Sequence, residues 1–162
     1  MTRRPNAFQK LIHRFLMLSA VSAFLIKGLH RADAFMLHLT KGQHTFAELV
    51  GLPIAQLPMT GAKTGKVRIL PLVSIPDDGK YVLIATNFGQ KYNPGWYYNL
   101  KKHPECDMLF SGISGKYLAR ELDGEERDHY WQLAVSYYAG YEKYKKRAAP
   151  RHIPVMLLEP KE

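Results

Sequence analysis

Apolar positions divide the chain into an arm without acidic residues and a longer stretch of short runs separated by turns. Between Met1 and Ala32 the cations Arg3, Arg4, Lys10, Arg14, Lys27 and Arg31 flank an uncharged run from Phe15 to Ile26. Twelve residues of helix rise about 18 Å, against a hydrocarbon core of about 30 Å, so this run is too short for a simple transmembrane span. A secretory signal has similar parts, with small residues such as Ser19, Ala20, Ser22 and Ala23. The preferred reading is an amphipathic helix, packed on the domain or lying in a membrane interface. Thr40 to Leu52, with Gly42 and Gly51, reads as a connector, so residues 1–52 form an N-terminal unit and 53–162 the main domain.

Pro53 introduces a first strand, Ile54 to Met59; Arg68 to Ile75 reads as a second, Asp77-Asp78-Gly79-Lys80 as a hairpin turn, and Tyr81 to Thr86 as a third. Asn87 to Asn93 is a polar loop. Pro94 to Lys102 predicts a short helix with Asn93 as its N-cap and Pro104 beyond its end. Cys106 to Phe110 and Lys116 to Leu122 predict a hairpin around Ser111 to Gly115. Asp123 and Glu126 have the spacing of a capping box opening a long helix, interrupted near Ala139-Gly140, and Ile153 to Leu158 is the last strand. Six short strands with helices at the start, in the middle and before the last strand predict an α+β fold, a small and mainly antiparallel barrel. Regular strand-helix alternation and a Gly-x-Gly-x-x-Gly turn are both missing, which disfavours a Rossmann fold.

With 162 residues, 46% of them hydrophobic, the chain suits one cored domain. Its net charge of +9 and pI near 9.6 favour anionic partners. Nucleic acid is disfavoured, because no finger, RNP-like strand or isolated basic helix is visible. Cys106 is the only cysteine, which excludes an intrachain disulfide and fits a reducing cytoplasm. The seven histidines form no His-Glu-x-x-His or carboxylate cluster, so no metal is expected; no Gly-x-Ser-x-Gly elbow suggests a hydrolase.

Candidate chemistry concentrates in two segments. Thr60 to Arg68 is a turn punctuated by Gly61 and Gly65, with Lys63, Lys66 and Arg68 as cations and Thr64 as a hydroxyl donor. Only three residues separate the glycines, and Val67 stands where a Walker loop needs Ser or Thr, so triphosphate hydrolysis is rejected. An anion cradle and a solvated hairpin tip both fit the turn alone. In the second segment, Asn93 to Leu100, a helix start would favour negative charge, and Trp96 and Asn99 share one helical face, a flat ring beside a carboxamide. Tyr130, Tyr137 and Tyr144 recur every seven residues, with Tyr138 and Tyr141 on a neighbouring face. They either cover a barrel mouth, hydroxyls in water, or line a substrate pocket.

From about Pro53 to Pro160 the sequence resembles the deazaflavin-dependent nitroreductases, a family that includes quinone reductases using reduced factor 420. The resemblance rests on Thr60-Gly61-Ala62-Lys63-Thr64-Gly65-Lys66-Val67-Arg68, Tyr81 to Asn87, Asn93-Pro94-Gly95-Trp96-Tyr97-Tyr98-Asn99-Leu100 with His103-Pro104, and Ile153 to Pro160; Tyr138 to Tyr144 matches a tyrosine-rich segment. It implies a split β-barrel like that of flavin-binding reductases. Lys63, Thr64, Gly65, Lys66 and Arg68 would hold the coenzyme phosphate, and Pro71, Leu72 and Val73 would line its tail. Ala85, Thr86 and Asn87 would present backbone groups to the deazaflavin ring, Trp96 and Asn99 would close its pocket, and Tyr138, Tyr141 and Tyr144 would face the acceptor. Phe88 departs from the small residues usual in the family and is expected to narrow the space over the ring.

The implied activity is hydride transfer from reduced factor 420, an 8-hydroxy-5-deazaflavin coenzyme, to a quinone or nitroaromatic acceptor, with Tyr138 donating a hydrogen bond or proton. The same barrel holding flavin mononucleotide (FMN), and a non-enzymatic module for an anionic or lipidic ligand, remain alternatives. The expected location is the cytoplasm, with docking to the inner face of the plasma membrane through residues 1–31.

Overall fold

Alternating burial is clearest in β1 (Ile54–Thr60), where Ala55, Leu57 and Met59 turn into the core and their neighbours stay half-buried. The computed structural model describes residues 51–161, so the amphipathic arm and most of its connector lie outside the described residues. β1 pairs antiparallel with β2 (Val67–Val73), followed by β3 (Ile75–Asp77), β4 (Lys80–Ile84), a 3-10 turn over Asn87–Gly89 and α1 (Gly95–Lys102). Then come β5 (Glu105–Phe110), β6 (Ile113–Glu121), α2 (Gly124–Tyr137), α3 (Gly140–Ala148) and β7 (Val155–Pro160). The strand order is β2-β1-β5-β6-β7-β4-β3, with every pairing antiparallel.

The stretch expected as one strand from Arg68 to Ile75 is two strands, which makes seven rather than six. They lie at opposite edges of the sheet and are separated by Ser74 alone, so the sheet must curl until its edges meet. Ser74 is fully buried at this corner, where its N–H donates to Pro53 O at 2.8 Å and its hydroxyl to Leu72 O at 3.2 Å. Both backbone and hydroxyl are thus satisfied away from water, as a buried corner requires. The result is the expected α+β split barrel.

Curling leaves β4 and β7 covered on both faces. Val82, Ile84, Val155 and Leu157 pack with Tyr130, Trp131, Tyr138, Tyr141 and Tyr144 in one core, whereas Leu83, Ala85, Met156 and Leu158 pack with Leu57, Tyr97, Leu100 and Met108 in the other. Two-residue turns close the flanking hairpins: Asp78-Gly79 and Ser111-Gly112 all have positive φ, the backbone that matches strand twist. The second turn is tighter than the expected Ser111-to-Gly115 loop, because Ile113 and Ser114 pair in β6 with Phe110 and Leu109. The last strand begins at Val155, two residues later than expected, and runs to Pro160.

Both expected side-chain caps are absent. Asn93 Oδ1 accepts from Arg151 Nη1, and Pro94 is the N-cap of α1. Asp123 is the N-cap of α2 without a side-chain bond, while Glu126 is held by Arg120 through Nη1–Oε2 at 2.7 Å and Nη2–Oε1 at 2.6 Å. Arg120 Nε also donates to Glu159 Oε2 at 2.8 Å, and Lys80 Nζ to Glu159 Oε1 at 2.8 Å, tying β4, β6 and β7 together. The Arg120 and Lys80 hydrogen bonds lower the Glu159 carboxyl to about 2. A carboxyl lowered in the folded state contributes stability above its unfolded value, 4.5, and that contribution fades as pH falls towards 2. Urea titrations at about pH 5 and about pH 3 should therefore show a smaller acid loss of stability for Glu159→Gln than for the parent.

Candidate functional site

The glycine turn between β1 and β2 is closed by its own backbone: Gly61 N–H donates to Lys66 O at 2.9 Å and Gly65 N–H to Gly61 O at 2.8 Å. Gly65 has a φ of +66°, a conformation natural to glycine, and a Cβ on Gly61 would stand 2.5 Å from Thr64 Oγ1. Thr64 Oγ1 accepts from Lys66 N–H at 3.4 Å, which leaves its own proton to donate. Lys63, Thr64, Gly65, Lys66 and Arg68 are all exposed. Among the described residues no carboxylate pairs with Lys63, Lys66 or Arg68, whereas Lys80, Lys101, Arg120, Arg127 and Lys161 all have acidic partners.

Two side chains of α1 fix this turn. Ala62 N–H donates to Asn99 Oδ1 at 2.9 Å, and Lys102 Nζ donates to Ala62 O at 2.7 Å. The turn therefore docks against the second half of the helix, not the helix start that the sequence pattern favoured for an anion. Tyr97 anchors α1 from the other side, donating from its hydroxyl to Glu121 Oε2 at 2.9 Å, with Leu100 buried beneath. Trp96 is half-buried against the barrel core, one helical turn before Asn99. Of the expected tail residues, Leu72 packs against that same core, Val73 against the tyrosine-bearing one, and Pro71 is exposed.

Between β4 and α1 the chain passes through Ala85, Thr86 and Asn87. Ala85 N–H donates to Pro154 O at 3.0 Å and Thr86 N–H to Ile84 O at 2.8 Å, so their amides are engaged. Thr86 is only 7% exposed, and its hydroxyl, which makes no hydrogen bond among the described residues, keeps access to solvent. Asn87 Nδ2 donates to Tyr92 O at 3.1 Å. Phe88 is half-buried edge-on to Tyr144, ring centroids 6.0 Å apart, so it abuts the tyrosine cluster.

The interruption expected near Ala139-Gly140 is present and rearranges the tyrosines. The helix breaks at Tyr138, so the seven-residue spacing spans two helices, and the break lets Tyr138 and Tyr144 share a hydroxyl–hydroxyl hydrogen bond of 3.2 Å. Tyr138, Tyr141 and Tyr144 are all buried rather than capped by water. Burial, and then the neighbouring Tyr144, push the Tyr138 phenol well above the ordinary tyrosine range; burial does the same to Tyr141 and raises Tyr144. All three remain protonated donors at neutral pH. Gly140 is required beneath them, since a Cβ there would stand 2.2 Å from the Tyr138 ring.

Contacts thus run in series from the cationic turn through α1 and the 85–93 loop to the tyrosines. Sequence reasoning missed Lys102 and Arg151, and it marked Gly140 as a helix break without its place against the Tyr138 ring. Lys102 and Arg151 read as cations near helix ends, and nothing local distinguishes a cation that holds a carbonyl from one that faces solvent. Among the described residues, no group of three or more His, Cys, Asp or Glu side chains is placed to hold a metal ion. No described helix is long and apolar enough to cross a membrane.

The fold is that of a split barrel, with a cationic turn that has no carboxylate partner among the described residues docked on the helix that carries Trp96 and Tyr97. The family described as F420H(2)-dependent quinone reductase matches residues 29–160, and the chain belongs to it. An F420H(2)-dependent quinone reductase of Mycobacterium tuberculosis is 31% identical over 109 residues, 65% of this chain and 72% of the relative. A second protein of that organism with the same family description is 29% identical over 110 residues, 68% of this chain and 92% of the relative. A solved F420-H2 dependent reductase superposes with a TM-score of 0.61 at 40% identity, covering 66% of this chain and 94% of the other. The protein is accordingly an oxidoreductase whose coenzyme is factor 420, passing a hydride from the reduced form to a quinone.

Proposed function

We propose that Lys63, Thr64, Lys66 and Arg68 hold the coenzyme phosphate, that Trp96 and the Thr86 hydroxyl flank its ring, and that Tyr138, Tyr141 and Tyr144 receive the acceptor. Three cations without carboxylate partners, on a turn fixed by Asn99 and Lys102, carry the reading. The residues present fit the group: cations and a hydroxyl proton suit a phosphate, and a half-buried indole suits a flat heterocycle. Asn99 acts by holding the turn through Ala62, and Gly65 by giving the turn its shape. Leu72 supports the tail from the barrel side and Val73 from the side of the tyrosine-bearing core.

When bound, the coenzyme supplies the hydride, so the chain needs no nucleophile of its own. Protein groups position the two reactants, exclude water and donate to the oxygen that gains charge on the acceptor. Tyr138 is suited to that donation, because its phenol stays protonated and its hydroxyl already shares a hydrogen bond with Tyr144. Nitroaromatics share with quinones a flat ring and an oxygen that gains negative charge on reduction, and are proposed as further acceptors. The acid-free arm of residues 1–31 is proposed to dock on an anionic membrane, where quinones partition.

Charge-assisted hydrogen bonds contribute about 1.5–3 kcal/mol each, so Arg68→Ala should weaken coenzyme binding about tenfold to a hundredfold, read by fluorescence titration. Unchanged affinity in a folded variant means that the turn is a solvated tip. Tyr138→Phe should lower turnover of a menaquinone analogue while coenzyme affinity stays near parental; the reverse pattern moves the hydroxyl to the coenzyme side. The full chain should float with anionic vesicles, and a chain shortened to begin at Arg31 should not. Equal behaviour of the two removes the membrane role.

A further inference from the structure

One side chain outside the loop from Ala85 to Asn93 donates hydrogen bonds to both of its ends and its middle. Arg151, between α3 and β7, donates from Nε to Gln90 O at 3.0 Å, from Nη1 to Ala85 O at 3.1 Å and to Asn93 Oδ1, and from Nη2 to Thr86 O at 2.7 Å. Its remaining contact is Nη1 to His152 O at 3.4 Å. Every acceptor is neutral, and Arg151 has no acidic partner among the described residues. A planar fork with donors on three nitrogens reaches acceptors spread over nine residues of loop; a lysine ammonium, a single point, does not.

The loop needs such a hold. Asn87, Phe88 and Gly89 have φ values of 48°, 55° and 81°, three consecutive left-handed residues of which only the last is glycine. Phenylalanine in this region is unfavourable and persists only where surrounding structure imposes it. Gly89 fits tightly, since a Cβ there would stand 2.8 Å from Arg147 Cβ and 3.0 Å from Tyr144 O. Phe88 meets the Tyr144 ring on that same side, and Asn93 leads directly into the helix that carries Trp96.

We propose that Arg151 is a positioning residue for hydride transfer: by gathering the carbonyls of Ala85, Thr86 and Gln90 and the Asn93 side chain, it sets the placement of the Thr86 hydroxyl and Phe88 relative to Trp96. This rests on the reading that coenzyme and acceptor meet at these residues. Arg151 touches neither reactant; it acts through the loop.

The test uses the full chain as Arg151→Lys and Arg151→Ala, with Arg68→Ala as a control, and follows factor 420 titrations, turnover of a menaquinone analogue and thermal unfolding. Arg151→Lys, which keeps the charge and loses the fork, should lower turnover about tenfold while remaining folded. Arg151→Ala should lose as much or more and recover severalfold in guanidinium chloride, but not in sodium chloride of equal ionic strength. A general loss of stability would not produce that recovery, because guanidinium destabilises folded proteins. If Arg151→Lys turns over and binds coenzyme as the parent does while Arg68→Ala has lost affinity, the positioning role is wrong and the site reading stands. If all three variants match the parent, both are wrong. Lost turnover in Arg151→Ala without guanidinium recovery, together with parental turnover in Arg151→Lys, also overturns the role.

Discussion

Ser74 joins the two edges of one sheet, and the rest of the architecture follows from that connection. Strands separated by a single residue cannot sit at opposite edges of a flat sheet of seven strands, so the sheet closes on itself. Closure puts β4 and β7 between two cores, the barrel interior on one face and the tyrosine-bearing helices on the other. The 85–93 loop leaves from the end of this shared wall. It is therefore placed to meet α1 on one side, through Asn93, and α3 on the other, through Phe88 and Gly89.

Much of the fold was legible where local physics and final environment agree. β1 alternates because one of its faces is buried, and Asp78-Gly79 reads as a turn because both residues tolerate positive φ. The break at Ser74 was not legible: one small polar residue in an apolar run costs a strand little, and only the closure of the sheet turns it into a corner. The capping patterns misled for a related reason. Glu126 and Asn93 have the right spacing, but Arg120 and Arg151, distant or on another element, offer them charge-assisted hydrogen bonds that win over a local amide.

The candidate site shows the same division. The cations of the glycine turn and the face shared by Trp96 and Asn99 were visible in order and spacing, because these residues act close to where they stand in sequence. The means of holding them were not. Lys102 reaches forty positions back to Ala62 and Arg151 sixty-six back to Ala85, and neither span leaves a local trace. The tyrosines were visible as a periodic group, while their mutual contact depends on a helix break that Gly140 accommodates beneath the Tyr138 ring.

The wall of β4 and β7 also sets how such a protein can diversify. From Val82 to Ile84 and from Val155 to Leu158 every side chain is buried on one face or the other, so neither strand has a solvent side on which substitutions accumulate freely. Substitutions are easier to absorb on the elements that leave the wall, the 85–93 loop and the tyrosine helices, where a changed side chain does not disturb two cores at once. The doubly covered wall is then the fixed chassis of the fold, and its rim is the part free to change.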